Sequence, residues 1–142
     1  MGFFRRIFGS DDSMAALAAP EQSKRHFLRG VELLDSERID EALAAFDNAI
    51  QLQPDNVNAW HWKGVTLDVM GKTAEALTCL QRAVEILPND PMPHFDKGKV
   101  ESQLGRKAEA ATSFRTVLRL ANPAQHAPIT AEVHERLAEL PA

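Results

Sequence analysis

The sequence lacks several features that particular classes of protein require. Its only cysteine is Cys79, so no disulfide can form within the 142 residues, and a lone thiol is typical of a reducing compartment. No apolar run approaches the roughly 18 residues needed to span a bilayer, and the start of the chain lacks the apolar stretch of a secretory signal. These absences predict a cytoplasmic protein.

Positive charge is scarce outside the first part of the chain. Residues 1–29 hold five Arg or Lys against three acids, which leaves +2 there and −6 in the rest, for a net charge of −4. Because phosphate binding requires a clustered basic face, this distribution argues against a nucleic-acid partner. With 44% hydrophobic and 25% charged residues, the composition is that of one ordinary soluble domain.

Catalytic and metal-binding sets are missing as well. The sequence has no glycine-rich phosphate loop, and its serines lack the context of a nucleophile elbow. His61 and His94 could meet across neighbouring helices, but without cysteine partners we interpret them as structural, and Cys79 as a packing residue. We therefore predict no enzyme activity, no metal and no cofactor; an enzyme would rest only on these lone His and Cys residues.

The sequence does contain a period of 34 residues. Glycine recurs at this interval, and so does alanine, at Gly30, Gly64 and Gly98 and at Ala42, Ala76 and Ala110. Such a period is typical of stacked helix pairs, because one pair cannot bury its apolar face alone. A large side chain follows each alanine by four residues, at Phe46, Leu80 and Phe114. We expect the alanine to be the partner that the glycine approaches closely, and the large side chain to fill the gap one turn further along the same face.

Turn and cap residues divide each period into two helices. Gly71 and Gly105 predict left-handed ends of first helices, and Asp90 before Pro91 predicts an N-cap followed by the first helical residue. We expect helices near residues 22–35, 38–52, 56–70, 73–86, 90–104 and 107–121. A seventh helix, opened by Pro128, would place an apolar stripe over the last repeat as a cap, through Ile129, Val133, Leu137 and Leu140.

This pattern resembles the tetratricopeptide repeat over residues 23–122. The middle repeat carries the best match, in Trp60, Gly64, Leu67, Ala76, Leu80, Ala83 and Pro88. The chain departs from the family pattern at Arg29, Lys63 and Lys97 in place of Leu, at Leu33, Leu67 and Glu101 in place of Tyr, and at His26 and His94 in place of Trp. The resemblance implies an all-α, right-handed solenoid of three helix pairs with a C-terminal capping helix.

The predicted organisation has three parts. Residues 1–22 form a basic, aromatic segment and a flexible linker; residues 23–122 form three repeats, at 23–56, 57–90 and 91–122; and residues 123–142 form the capping helix.

The resemblance also implies a partner-binding groove, because the first helices of such repeats line a concave face. The matching positions are Lys24, Phe27, Val31, Leu34, Asn58, His61, Val65, Asp68, Met92, Phe95, Lys99 and Ser102. Among them, Phe27, Val31 and Leu34 are surplus to the core face of their helix and need a cover. Some family members clamp a terminal carboxylate with basic residues and Asn, but the five clamp positions here hold Phe27, Val31, Trp62, Met92 and Asp96.

We therefore expect no such clamp, and instead an adaptor or scaffold whose protein partner supplies an apolar peptide or amphipathic helix. The N-terminal segment leaves further alternatives open, since two arginines lie between apolar residues at helical spacing in Phe3, Phe4, Arg5, Arg6, Ile7 and Phe8. It could cover the groove of its own chain, bind a partner, lie weakly on an anionic membrane surface, or remain disordered. A membrane-surface assembly or chaperone-like factor anchored by this segment is the alternative function. The oligomeric state is not specified by the sequence.

Overall fold

A computed structural model describes residues 18–140, which form seven helices and no strand. The helices are α1 (Ala19–Asp35), α2 (Ile39–Leu52), α3 (Val57–Val69), α4 (Thr73–Ile86), α5 (Pro91–Gln103), α6 (Lys107–Leu120) and α7 (Pro123–Glu139). The first six lie within three residues of their predicted bounds, which confirms the all-α class and the helix pairs. None of these seven helices has the length and apolarity required to cross a bilayer.

The chain divides into two compact units, residues 1–59 and 60–142, with the boundary inside α3. In the first unit, α1 packs against α2 around Leu33, Ala42 and Phe46. In the second unit, α4 packs against α5, α5 against α6, and α6 against α7. Each unit therefore has an apolar core of its own.

The repeat glycines lie where the first helix of a pair meets the second. A Cβ atom added to Gly98 would lie 2.6 Å from Cε1 of Phe114, and one added to Gly64 would lie 2.8 Å from Cγ of Leu80. Both distances are well inside van der Waals contact, so any larger residue would displace the facing side chain. The predicted close approach is confirmed, but the expected partner was wrong: the nearest atoms belong to the large side chain and not to the repeat alanine.

The turns inside the three pairs share one backbone geometry. Gly71 and Gly105 have φ values of 78° and 76°, which confirms the predicted left-handed caps. The equivalent residue of the first turn is Glu37, with a φ of 58°. In all three turns the next residue's amide donates to the carbonyl five residues before it, at 2.8 or 2.9 Å. Glu37 is therefore strained where the two glycines are not, because its Cβ crowds the backbone in this conformation.

Two helices, α5 and α7, begin after a residue whose side chain caps the helix. Asp90 accepts a hydrogen bond from the amide of Met92 at 3.0 Å, which confirms it as the N-cap of α5. Asn122 does the same for α7, accepting from the amide of Ala124 at 2.9 Å. Asn122 and Pro123 thus start α7 five residues before Pro128, but α7 consists of two helical segments joined by a kink at His126, and the second segment begins next to Pro128, as predicted.

α7 is kinked at His126, two residues before Pro128. The backbone at His126 is not helical, with φ −118° and ψ 17°, consistent with a proline ring that cannot donate to the preceding turn. Beyond the kink, Val133 is fully buried, and the other three residues of the predicted stripe pack against the cluster that contains Phe114. The helix covers α6 in the manner expected of a cap.

Candidate functional site

Three of the predicted groove residues line one cleft in the first unit. Lys24, Phe27 and Asn58 border a space of about 410 Å³ between the start of α1 and the segment that joins α2 to α3. Leu28 and Asp55 belong to the same lining, and Leu28 leaves 48% of its surface exposed. We call this space the α1 cleft.

A hydrogen-bond network holds the two sides of the α1 cleft together. The hydroxyl of Ser23, which is fully buried, donates to the carbonyl of Ala49 at 2.7 Å and accepts from Nδ2 of Asn56 at 2.8 Å. The other amide atom of Asn56, Oδ1, accepts from the amide of Ala59 at 3.0 Å at the start of α3. One asparagine therefore caps a helix and fixes the joining segment against α1.

The apolar residues of α1 are partly committed to the core. Phe27, Val31 and Leu34 are half-buried and pack against the cluster of Leu33, Ala42, Ala45 and Phe46. The Phe27 ring lies 6.0 Å from the Phe46 ring, centroid to centroid. The surplus apolar surface on α1 is thus smaller than expected, and its most exposed member is Leu28, which the sequence analysis did not select.

In the second unit, α3 and α5 are joined by charged side chains that we call the polar seam. Nε2 of His61 lies 2.7 Å from Oδ2 of Asp96, and Nζ of Lys99 lies 2.9 Å from Oδ1 of the same carboxylate. Lys99 also lies over the Phe95 ring, 4.9 Å from its centroid. Asp96 thus has a basic partner on each of its oxygens.

Burial and hydrogen bonding act on Asp96 in opposite directions. Desolvation favours the neutral acid, but the hydrogen bonds from His61 and Lys99 outweigh it, and the pKa of Asp96 is lowered. The Asp96 side chain is only 13% exposed, so this carboxylate is held ionised inside the seam rather than offered to solvent.

A second link joins the ends of the same two helices. Oδ2 of Asp68 accepts a hydrogen bond from Nε2 of Gln103 at 3.3 Å. Its other oxygen is buried and has no partner among residues 18–140. The polar seam therefore runs along α3 and α5 from His61 to Asp68.

Beside the seam, α3 exposes a row of apolar side chains. Trp62 is 39% exposed and Val69 is 80% exposed, with half-buried Val65 between them. Spacings of three and four residues place them on one side of the helix, and we call them the α3 stripe. Only Val65 was among the predicted groove residues, although the apolar period of the sequence contained the signal for all three.

The other predicted groove residues of the second unit differ in what they offer. Met92 and Ser102 are half-buried on α5. Phe95 is 5% exposed and packs on Phe114, with the ring centroids 6.4 Å apart. The expectation that Phe95 lines an open groove is wrong for this residue, because its ring belongs to the core between α5 and α6.

Sequence reasoning missed a buried ionic network, which we call the Glu101 network. Glu101 is 1% exposed; its Oε1 lies 2.6 Å from Nζ of Lys97, and its Oε2 accepts a hydrogen bond from Ser113 at 2.7 Å. Lys97 and Glu101 line a second cleft, of about 440 Å³, together with Trp60 and Leu77. Lys97 and Glu101, which stand where the family has Leu and Tyr, therefore form an ion pair with each other.

The residues considered for chemistry have structural surroundings. His94 bonds the carbonyl of Pro88 at 2.8 Å, so it does not meet His61. Cys79 is buried. Between residues 18 and 140, no three His, Cys, Asp or Glu side chains are grouped to hold a metal ion. The predicted docking segment, Phe3, Phe4, Arg5, Arg6, Ile7 and Phe8, lies outside the described residues.

The chain matches a known family in sequence and solved proteins in structure. Two family models, both described as tetratricopeptide repeat, match residues 33–94 and 94–123, which together span most of the chain. No curated protein sequence matches it.

Solved structures resemble the chain over most of its length. The tetratricopeptide domain of Arabidopsis OM64 has a TM-score of 0.76 and 20% identity, and the match covers 85% of this chain and 98% of that one. The TPR2B domain of yeast Sti1, in a complex with pHsp70, has a TM-score of 0.75 and 16% identity, over 82% and 93%. Yersinia enterocolitica SycD, a type III secretion chaperone in complex with a peptide of the translocator YopD, has a TM-score of 0.78 and 17% identity, over 82% and 89%. At these identities the likeness establishes the fold.

Proposed function

The chain belongs to the tetratricopeptide repeat family of protein-interaction modules, and from that premise we propose that it is an adaptor that binds an apolar peptide or one face of an amphipathic helix. The observation that carries this proposal is the α3 stripe. Trp62 is 39% exposed and Val69 is 80% exposed. They lie on one side of α3 and form an apolar surface that water solvates poorly.

The polar seam supports an apolar ligand over an acidic one. The two basic groups next to the α3 stripe, His61 and Lys99, are already engaged by Asp96 at 2.7 and 2.9 Å. A carboxylate ligand would have to compete with that buried ion pair, which is a poor exchange. An apolar side chain laid on Trp62 and Val69 would leave the seam intact.

Relatives of similar fold support a peptide as the class of ligand. SycD is described in complex with a peptide of YopD, and the first repeat domain of RPAP3 with the HSP90 peptide SRMEEVD. The second of these peptides ends in acidic residues, for which the clamp positions of the present chain have no matching bases. We therefore place this chain with peptide binders and assign it a different ligand chemistry.

The expected affinity follows from the size of the stripe. Burying Trp62 and Val69 would supply about 3–6 kcal/mol before ordering costs, which corresponds to a Kd of tens of micromolar at best. Such a contact suits reversible assembly. Helical ligands would present anchors at spacings of three, four and seven residues to match Trp62, Val65 and Val69.

Selection of a random peptide library displayed on phage, with the full chain as bait, tests the proposal. Enriched peptides should carry apolar anchors at helical spacing, and synthetic copies should lose about tenfold or more in affinity for Trp62→Ala with Val69→Ser, measured by calorimetry.

Leu104→Ser is the matched control, because Leu104 is 37% exposed and lies outside the α3 stripe. Enrichment of acidic C-terminal peptides, or equal binding to the stripe variant and the native chain, would refute the proposal.

A further inference from the structure

We propose that residues Phe3–Phe8 of this chain dock in the α1 cleft of the same molecule. The contact concerns only this segment and the first unit, so it does not depend on the partner binding proposed above.

The segment is within reach of the cleft. Nine residues, 9–17, join Phe8 to the first described residue, Ala18, and their fully extended length is about 30 Å. The cleft begins at Pro20 and extends along α1 to Leu28, a distance of about 12 Å. The joining residues include Gly9, Ser10 and two aspartates, a composition compatible with a chain reversal.

The chemistry of the two surfaces is complementary. The cleft combines apolar groups, among them Pro20, Leu28 and Val57, with the carboxylates of Glu21 and Asp55. Neither carboxylate forms an ion pair with another residue between 18 and 140. Lys24 is the one basic residue of the cleft lining, which leaves a net charge of −1. The segment offers three phenylalanines, an isoleucine and two arginines.

Tethering makes even a weak contact populated. A linker of this length supplies an effective concentration in the millimolar range, so an intrinsic Kd of about 1 mM would leave roughly half of the molecules docked. A separate peptide would need millimolar concentrations to do the same, so the contact is selective for the chain's own segment.

A spin label on the full chain tests the contact directly. Gly2→Cys places the label beside the segment, and Cys79, which is 5% exposed, is protected from it. In nuclear magnetic resonance spectra, we expect selective broadening of the amides of Lys24, Leu28 and Asn58. A mixture of labelled chains with isotope-enriched unlabelled chains should show no broadening.

Two matched variants separate the contact from a general effect on the fold. Leu28→Asp should weaken docking about tenfold, which lowers the docked fraction from about half to about one tenth. Leu104→Asp, which adds the same charge at a similarly exposed leucine outside the cleft, should leave the broadening unchanged. Asp55→Lys should reduce it, and Arg5→Glu with Arg6→Glu should restore part of that loss.

Three results would overturn the proposal. Broadening that is absent or spread evenly over the chain means that the segment does not dock. Broadening in the mixed sample means that it binds a second copy. The third result combines two observations: no amide is selectively broadened in solution, and the full chain co-sediments with phosphatidylglycerol vesicles unless it carries Phe3→Ser with Phe8→Ser. This result means that the segment binds a membrane surface.

Discussion

The Glu101 network yields the sharpest test of the packing described above. Glu101→Gln keeps the size of the side chain and an oxygen that accepts from Ser113, but it removes the negative charge 2.6 Å from Nζ of Lys97. An ammonium group that is left unpaired in a buried site destabilises the folded state strongly. The substitution therefore isolates the ionic part of the network.

The magnitude follows from the burial of the two partners. Breaking a fully buried pair costs about 3–5 kcal/mol, and since the Lys97 side chain retains 18% exposure, we expect a loss of about 2–4 kcal/mol. For a chain of this length the melting temperature should then fall by roughly 10 °C. Urea denaturation of the full chain, followed by circular dichroism, measures the change in the free energy of unfolding.

Glu109→Gln is the control, because this glutamate pairs with Arg106 in solvent, at 3.7 Å and with 51% and 60% of the two side chains exposed. The same chemical change should have no measurable effect there, as is usual for exposed pairs. Lys97→Met added to Glu101→Gln should recover most of the stability. Equal effects of Glu101→Gln and Glu109→Gln would show that the buried pair is not what stabilises this packing.

Three further predictions use the same denaturation assay. Glu37→Gly should stabilise the chain by about 0.5–1 kcal/mol, because the left-handed strain removed exceeds the added freedom of the unfolded glycine; Gly71→Ala should destabilise it, and the opposite signs would contradict the turn assignment. Gly98→Ala should cost about 1–2 kcal/mol, and the addition of Phe114→Leu should recover part of it; additive losses would argue against a direct clash. The pKa of Asp96 is lowered on folding, so its contribution to stability is complete above its unfolded pKa of about 3.9 and is lost as the pH falls through the folded value. Asp96→Asn should therefore make stability fall less steeply as the solution is acidified. An unchanged pH dependence would show that Asp96 does not contribute to acid denaturation.

The repeat period predicted most of the fold because it reports local constraints. Gly71, Gly105 and Asp90 act through their own backbone conformation or their own side chain, so their roles can be predicted without knowledge of neighbours. The second segment of α7, after the kink at His126, was predicted from Pro128 and the apolar residues that follow it. The short first segment was missed, although Asn122 and Pro123 repeat the pattern of Asp90 and Pro91.

The site was less predictable because it depends on contacts between helices. Nothing local to Glu101 shows that Lys97 and Ser113 will meet its carboxylate, and nothing local to Ser23 shows that Asn56 will donate to it. Phe95 was assigned to the groove by its position in the repeat, but the ring of Phe114 draws it into the core. The groove role of the remaining predicted residues stays a prediction.

The close contact between Gly98 and Phe114 also fixes the position of α5 along α6. A shift of α5 by one helical turn in either direction would bring His94 or Ser102 opposite the Phe114 ring, where even a single added carbon would lie 2.6 Å from it. The contact between Gly98 and the Phe114 ring therefore permits one alignment of the two helices and sterically excludes the neighbouring alignments. The same contact occurs between Gly30 and Phe46 and between Gly64 and Leu80, so the alignment of the two helices is set separately within each pair.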